Sequence, residues 1–379
     1  MNILHSGALD VWAGGPALST WLTIKGLRDR GHNVTAITAP LPDGDRLIDN
    51  DANPIYSRHS KFGTLAYVPG LKQLLCDIKG IDLYHIQGIW MLHGRTVSSY
   101  AKNIGKPYVV TLRGMLYPEA LAHNALIKRL SLALYQRDIL KNAAAVQCTC
   151  EEEMEHFRNL GFKTPVAVIP NPIETTGVID IPIPDKPIFT VGYLGRLHPR
   201  KRVERLIRAM YDLKEQLPSN ARLRIIGGGD AGYTEFLKSE ITRLGLTNVE
   251  MTGFLSGKEK DDAIKSLSVL AVPSDFENFG NIVTEALVRG VPVIASKGMP
   301  WQELPENKCG WWIENSQEEI NKTILESYHI GEKSLNDMGT NGRKLISQRY
   351  SVASLGEKME MLYSWILKGG ETPDFLHLL

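Results

Sequence analysis

The chain has 379 residues, of which 43% are apolar and 22% charged, with a formal net charge of +1. At about 100–200 residues per domain this length predicts two domains, and the composition is that of an ordinary globular protein. The near-zero net charge leaves no global field for nucleic acid, so no nucleic-acid partner is expected and any anion site must be local.

The N-terminus, Met1-Asn-Ile-Leu-His-Ser-Gly7, has no basic n-region and no long apolar stretch, so no signal peptide is expected. No window of about 20 apolar residues exists to span a bilayer, although contact with a membrane surface stays open. Cys148 and Cys150 are two apart with no further ligands at zinc spacing. With Cys76 and Cys309 they are expected as free thiols, which fits a reducing cytoplasm.

In chain order the pattern is strand, loop, helix, repeated. Residues 2–5 read as a short buried strand, Gly14-Gly15-Pro16 as a turn, and residues 17–30 as a helix closed by Gly31. Further strands are predicted at 33–39, 81–86, 108–112, 144–149 and 166–169. Residues 170–187 hold five prolines and are neither helix nor inner strand, so they are read as a linker. The rhythm resumes at 188–194, 222–226, 248–251, 268–273 and 291–295. Short apolar strands alternating with helices predict α/β architecture with parallel sheets covered on both faces. Residues 352–367 form a last amphipathic helix that could cross back to the first domain. The expected domains are 1–170, with 352–379 returning to it, and 171–351.

Four segments could carry chemistry. Gly192-Tyr-Leu-Gly-Arg196-Leu-His-Pro-Arg-Lys201 places cations after a strand and before a helix start, an arrangement suited to a diphosphate or to a solvated basic turn. Glu277 follows the strand 268–273, and Gly280-Asn281 opens a helix in which Glu285 lies about one turn in. The two carboxylates could hold two ends of an elongated ligand, with phosphate at free N–H groups near Gly280 and Ile282, or be a surface and a first-turn glutamate. Gly14-Gly15-Pro16 could bring backbone up to an anion, but the full Gly-x-Gly-x-x-Gly pattern is missing. Gly227-Gly228-Gly229 could wall a nucleobase or be a plain turn. His85, His93 and His123 lack metal spacing, and Trp301, Trp311 and Trp312 fit a core better than a sugar platform. Residues 115–141 mix Leu126, Ile127, Leu130, Leu134 and Ile139 with Lys128, Arg129, Arg137 and Lys141. They fit either a membrane-facing helix or, more blandly, a helix covering the sheet with snorkelling basic residues.

Taken together, the motifs resemble the retaining glycosyltransferases of family 4, which have the GT-B fold: two doubly wound Rossmann-like domains facing a central cleft. Gly195-Arg196-Leu197 with Lys201 is similar to that family's phosphate-binding motif, and Glu277-x7-Glu285 to its paired-glutamate motif. In the first half, His85-Ile-Gln-Gly-Ile-Trp90, Thr111-Leu-Arg-Gly-Met-Leu116 and Val168-Ile-Pro-Asn171 resemble a bacterial surface-polysaccharide subgroup.

The resemblance implies that Arg196 and Lys201 neutralise the diphosphate, Glu277 binds donor-sugar hydroxyls and Glu285 the ribose. Backbone at Phe279, Gly280, Asn281 and Ile282 would line the sugar and phosphates. Gly14 and Gly15 would close over the diphosphate, Gly253, Phe254 and Leu255 would flank the base, and Gly228 is counted with the donor-binding residues. Arg113 stands where much of the family has histidine and is expected as a phosphate or acceptor contact; Gln87 and Pro172 depart from the family pattern similarly. The implied activity is hexosyl transfer with retention from a nucleotide sugar, UDP-linked ahead of GDP-linked. The acceptor would be a saccharide, expected as a lipid-linked oligosaccharide of O-antigen, capsule or exopolysaccharide synthesis at the cytoplasmic membrane face. No metal or other cofactor is expected, the nucleotide sugar being a substrate. An epimerase on the same fold and a non-catalytic nucleotide-sugar binder are the alternatives.

Overall fold

The computed structural model describes residues 1–10, 14–39, 47–57 and 67–379. The chain divides into two compact units: Met1–Pro172 with Ser351–Leu379, and Ile173–Tyr350.

The first unit is built on strands β1 (Asn2–Ser6), β2 (Asn33–Thr38), β3 (Ile55–Tyr56), β4 (Leu83–Gln87), β5 (Tyr108–Thr111), β6 (Ala145–Cys148), β7 (Val166–Val168) and β14 (Leu376–His377). They lie in the order β14-β7-β6-β5-β4-β1-β2-β3. All pairings are parallel except β14 on β7. The chain goes from β1 to β2 and β3 on one side, then jumps to β4 on the other, so the sheet reverses direction between β1 and β4. The helix Gly15–Asp29 follows β1 with Pro16 in its first turn, where the missing N–H costs nothing. The helix Val352–Lys368 buries Leu355, Met359 and Leu362 in a core shared with Trp21, Ile24 and Leu27 of that first helix.

The second unit carries β8 (Thr190–Leu194), β9 (Arg222–Ile226), β10 (Val249–Gly253), β11 (Val269–Val272), β12 (Val293–Ser296) and β13 (Gly310–Ile313). Their order is β10-β9-β8-β11-β12-β13, all parallel. Here the direction reverses between β8 and β11. Central strands read as unbroken apolar runs because helices cover both faces: every residue of Val269–Val272 is buried.

The proline-rich stretch holds no helix or strand and contains the boundary between the units, and from Ile173 onward it is strapped to the second unit; the reading of residues 115–141 is corrected. Ile173 joins that unit's core, and Arg343 donates to the carbonyls of Ile179 and Ile181 at 3.2 and 2.5 Å. Residues 115–141 are not a helix laid over the sheet. They break into the short helices Pro118–Ala122, Ala125–Ser131 and Arg137–Lys141, with one π-helical turn at Leu132–Gln136. Leu126, Ile127, Leu130 and Leu134 all face solvent.

Candidate functional site

In open α/β sheets, ligands bind beyond the carboxyl ends of strands where the strand order reverses. In the second unit that point is the β8/β11 pair, and the loops leaving these two strands carry Arg196, Lys201 and Glu277.

The β8 loop is held by its neighbour. Gly195 donates to the Ile226 carbonyl at 3.0 Å, Leu197 to Gly228 at 2.9 Å, and Asp230 back to Leu197 at 2.9 Å. A Cβ at Gly227 would lie 2.0 Å from the Gly195 carbonyl oxygen, and one at Gly229 2.2 Å from that of Leu197. These two glycines therefore exist to let the loops touch. Gly228 alone of the three faces open space and keeps the possibility of a ligand wall.

The Arg196 side chain is exposed and makes no hydrogen bond or ion pair among the described residues, while the Arg196 carbonyl accepts from Tyr193 Oη at 3.2 Å. Pro199–Lys201 forms a 3-10 turn that points Lys201 inward. Asp275 locks this turn to the β11 loop: its N–H donates to the Arg200 carbonyl at 2.8 Å, and its carboxylate accepts from Arg202 Nε at 2.6 Å. Lys201 Nζ forms an ion pair with Glu277 Oε1, with both side chains largely buried. The two motifs read separately from the sequence thus meet in one pair. Burial, then Arg200 and Arg196, push the Lys201 ammonium down to about 7, while the carboxylate it touches acts in the opposite direction.

Glu277 is aimed by its own backbone, whose N–H donates to the Gly298 carbonyl at 2.8 Å. Three residues on, Gly280 has φ +79° and is the N-cap of the helix Asn281–Val288, with no capping side chain. A Cβ there would be strained by φ and would also meet Met299 Cε at 2.4 Å. First-turn N–H groups have no intrahelical acceptor, so the backbone of Asn281 and Ile282 forms a start suited to an anion. Phe279 itself is buried, with its ring 5.3 Å from Trp301 and 5.8 Å from Tyr350. Trp301 Nε1 donates to the Phe279 carbonyl at 2.5 Å. Trp301 is therefore the floor of the loop, fully enclosed, and no sugar platform.

Glu285 sits one turn into the helix and pairs with Lys260, a partner the sequence reading missed. Phe254 is exposed just past β10, and Leu255 packs partly on the core.

In the first unit, Gly14 has φ +61° and caps the helix Gly15–Asp29 without a side-chain acceptor. Arg113 follows β5 with φ +59° and is half-buried, and desolvation lowers its guanidinium to about 10, which leaves it charged at neutral pH. Its Nη1 donates to Ser19 Oγ at 2.5 Å and Asn171 Oδ1 at 2.6 Å; its Nη2 donates to Thr20 Oγ1 at 3.1 Å and Gln87 Oε1 at 2.7 Å. These four neutral acceptors occupy both ends of the fork. Arg113 ties the first helix to the end of β4 and to the loops after β5 and β7. Behind it, Gln87 Nε2 lies 3.3 Å from His5 Nδ1. Tyr363 Oη lies 3.1 Å from His5 Nε2 and 2.6 Å from His85 Nδ1. His85 is structural here, buried and neutral, its proton affinity lowered by burial, His5 and Arg113.

The comparisons agree with this geometry. The family described as "Glycosyl transferases group 1" matches residues 180–345, and "Glycosyl transferase 4-like domain" matches residues 14–172. A glycosyltransferase of Methanocaldococcus jannaschii is 28% identical over 327 residues, 79% of this chain and 81% of that protein. The GDP-mannose-dependent alpha-(1-6)-phosphatidylinositol monomannoside mannosyltransferase of Mycolicibacterium smegmatis is 28% identical over 190 residues, and this match spans only 48% of either chain. Among solved structures, Anabaena HepE in complex with UDP and glucose superposes with a TM-score of 0.74 at 22% identity, covering 96% of this chain and 99% of that one. With one glycosyltransferase family matched on each unit and the β8/β11 loops carrying the motif residues, the chain is a glycosyltransferase of the GT-B fold.

Proposed function

We propose that the protein transfers a hexose, with retention at the anomeric carbon, from a nucleoside diphosphate sugar to a saccharide. The observation that carries the donor site is the Lys201–Glu277 pair at the β8/β11 switch point, beside the unpartnered Arg196 and the uncapped helix start at Gly280. In this reading Arg196, Lys201 and the N–H groups of Asn281 and Ile282 take the diphosphate, Glu277 the sugar hydroxyls and Glu285 the ribose. The bond from the anomeric carbon to the phosphate oxygen breaks, the bond to the acceptor oxygen forms on the same face, and the acceptor proton passes to the leaving phosphate. Charge growing on the diphosphate meets preorganised cations, the strongest stabilisation such a site can offer, and this calls for no metal. Phe254 and Gly228 would lie against the base, and Arg113 holds the first unit's loops in place.

UDP is favoured over GDP as the donor nucleotide by the likeness to the UDP-bound Anabaena structure; the GDP-mannose-dependent relative supplies the competing choice. The acceptor reading is a lipid-linked oligosaccharide in surface-polysaccharide assembly, supported by the subgroup motifs around His85, Arg113 and Asn171. The test is a thermal-shift screen across UDP-, GDP- and ADP-sugars, followed by donor consumption with and without acceptor. Stabilisation by a nucleotide sugar and acceptor-dependent release of the nucleoside diphosphate are expected. Conversion of the donor sugar without acceptor, or binding with no release under any acceptor, would overturn the assignment.

A further inference from the structure

Within residues 120–137 the chain has no acidic residue and three basic ones, Lys128, Arg129 and Arg137. The structure turns the apolar residues of this segment outward. Leu126, Ile127, Leu130 and Leu134 are 81%, 59%, 60% and 68% exposed, whereas a helix covering a sheet would bury that stripe. Each is separated from the next by one, three or four positions, so they form one face across the helix Ala125–Ser131 and the π-helical turn after it.

The opposite face fixes this hairpin firmly. Tyr135 donates to the Trp90 carbonyl, Gln136 Oε1 accepts from the Trp90 N–H at 3.0 Å, and Tyr108 donates to the Ile139 carbonyl at 2.8 Å. Lys128 is turned inward, onto the Ala120 carbonyl and 5.9 Å over the Trp90 ring. The Arg129 side chain is exposed and has no hydrogen bond or ion pair among the described residues, and the guanidinium of the exposed Arg137 lies 5.2 Å over the Phe162 ring. The exposed apolar face is therefore a rigid, built feature rather than a frayed segment.

We infer that this face docks on an anionic lipid bilayer. A ridge of leucine and isoleucine with Arg129 and Arg137 beside it matches an interface of acyl chains beneath negative headgroups; the exposed Glu119 and Asp138 stand at the two ends of the segment, Asp138 paired with Lys102. The four exposed apolar side chains and the unpaired Arg129 side chain favour that occupant, and a protein partner is an outcome of the test. The hairpin leaves the carboxyl end of β5 directly after Arg113, and Trp90 anchors it to the loop after β4. Docking thus holds the switch-point side of the first sheet close to the bilayer, where an acceptor carried on a lipid would present its sugar. The inference does not depend on the donor assignment, since vesicle binding and donor turnover are read separately.

The experiment is sedimentation of the full chain with large unilamellar vesicles, either pure phosphatidylcholine or equal parts phosphatidylcholine and phosphatidylglycerol. Binding to the mixed vesicles, weakened at high salt, is expected, with little binding to the neutral ones. Leu126→Asp with Leu130→Asp should abolish it, and the milder Leu126→Ser should reduce it. Arg129→Glu should weaken it about tenfold, as expected from roughly 1 kcal/mol per basic residue lost and a repulsive charge added. Leu126, Arg129 and Leu130 are all exposed, so melting temperature and turnover of a water-soluble acceptor should stay at wild-type values. No binding to phosphatidylglycerol vesicles, or equal binding by the Asp variants, would overturn the inference. So would self-association, lost in the same variants, without lipid binding, which would make the face a protein interface.

Discussion

Replacing Lys201 with alanine removes the one buried cation of the β8/β11 site and leaves Glu277 without its partner. Two unit charges about 4 Å apart interact by about 4 kcal/mol at the effective dielectric of about 20 that suits such a position. Only part of the leaving diphosphate's charge develops in the transition state, so about 3–4 kcal/mol of barrier is at stake, or 10²–10³ in kcat/KM. Folding loses less. Removing one member of a fully buried pair costs about 3–5 kcal/mol, but Glu277 keeps some access to water, so about 1–2 kcal/mol is expected. The assay is release of nucleoside diphosphate against donor concentration, run beside a thermal melt. A melt within roughly 8 °C of wild type with activity down a hundredfold or more fits the reading. A folded variant turning over within about threefold of wild type, a barrier change below about 1 kcal/mol, would refute it.

Gly280→Ala meets a positive φ and the Met299 methyl, and should destabilise by about 1–2 kcal/mol in a melt while weakening nucleotide-sugar affinity in calorimetry. Unchanged affinity would detach the helix start from donor binding. Arg113→Lys offers three donors to four acceptors and should lower stability by about 2–4 kcal/mol, seen as a lower melting temperature, with the donor Kd little changed. A specific rise in Kd at unchanged stability would instead mark Arg113 as a phosphate contact. The first unit should be acid-labile. Burial, with Arg113 and Arg28 next, lowers His5 to about 3, and burial lowers His93 to about 4. Both stay neutral in the fold while the unfolded chain binds protons below about pH 6.5. Stability is thus full above that pH and falls as the pH drops toward the folded values, by about 2 kcal/mol per histidine at pH 5. Thermal melts between pH 7 and pH 5 measure it, and His93→Leu should flatten the slope.

The strand–loop–helix grammar made Arg196, Lys201, Glu277 and Glu285 legible, because each sits at a fixed offset from a strand end or a helix start. The apolar runs of β1, β8 and β11 were legible for the same reason, parallel sheets being buried on both faces. β3 and β14 have two residues each, too few for any periodicity, and β13 reads Gly-Trp-Trp-Ile, whose aromatics look like a site or a core before they look like a strand. Prolines in 170–187 announced irregular backbone but not its packing, which depends on Arg343, more than 150 residues away. The same limit hid the Arg113 cluster. Its acceptors Ser19, Thr20, Gln87 and Asn171 come from three separate segments, and no local pattern links them. In residues 115–141 the sequence carried the apolar stripe, but which face the sheet covers is decided by Tyr108, Trp90 and Tyr135 from outside the pattern or within its turn.

The Lys201–Glu277 contact also explains why two charges can wait together in a largely buried position. An isolated ammonium there would lose its proton or draw in water, as the downward push on Lys201 shows. Glu277 opposes that push and fixes the lysine in place, so much of its desolvation is met during folding. In the proposed reading a diphosphate would then share this preplaced lysine, and Glu277, partly released from it, would be left within reach of the sugar hydroxyls that the same donor brings. Lys260 does the equivalent for Glu285 at the other end of the helix start. Of the four site groups, only Arg196 stands unpaired and exposed. In the proposed reading, long-range attraction of the anionic donor would therefore fall chiefly to Arg196 and its neighbour Arg200, and the paired groups would act at contact.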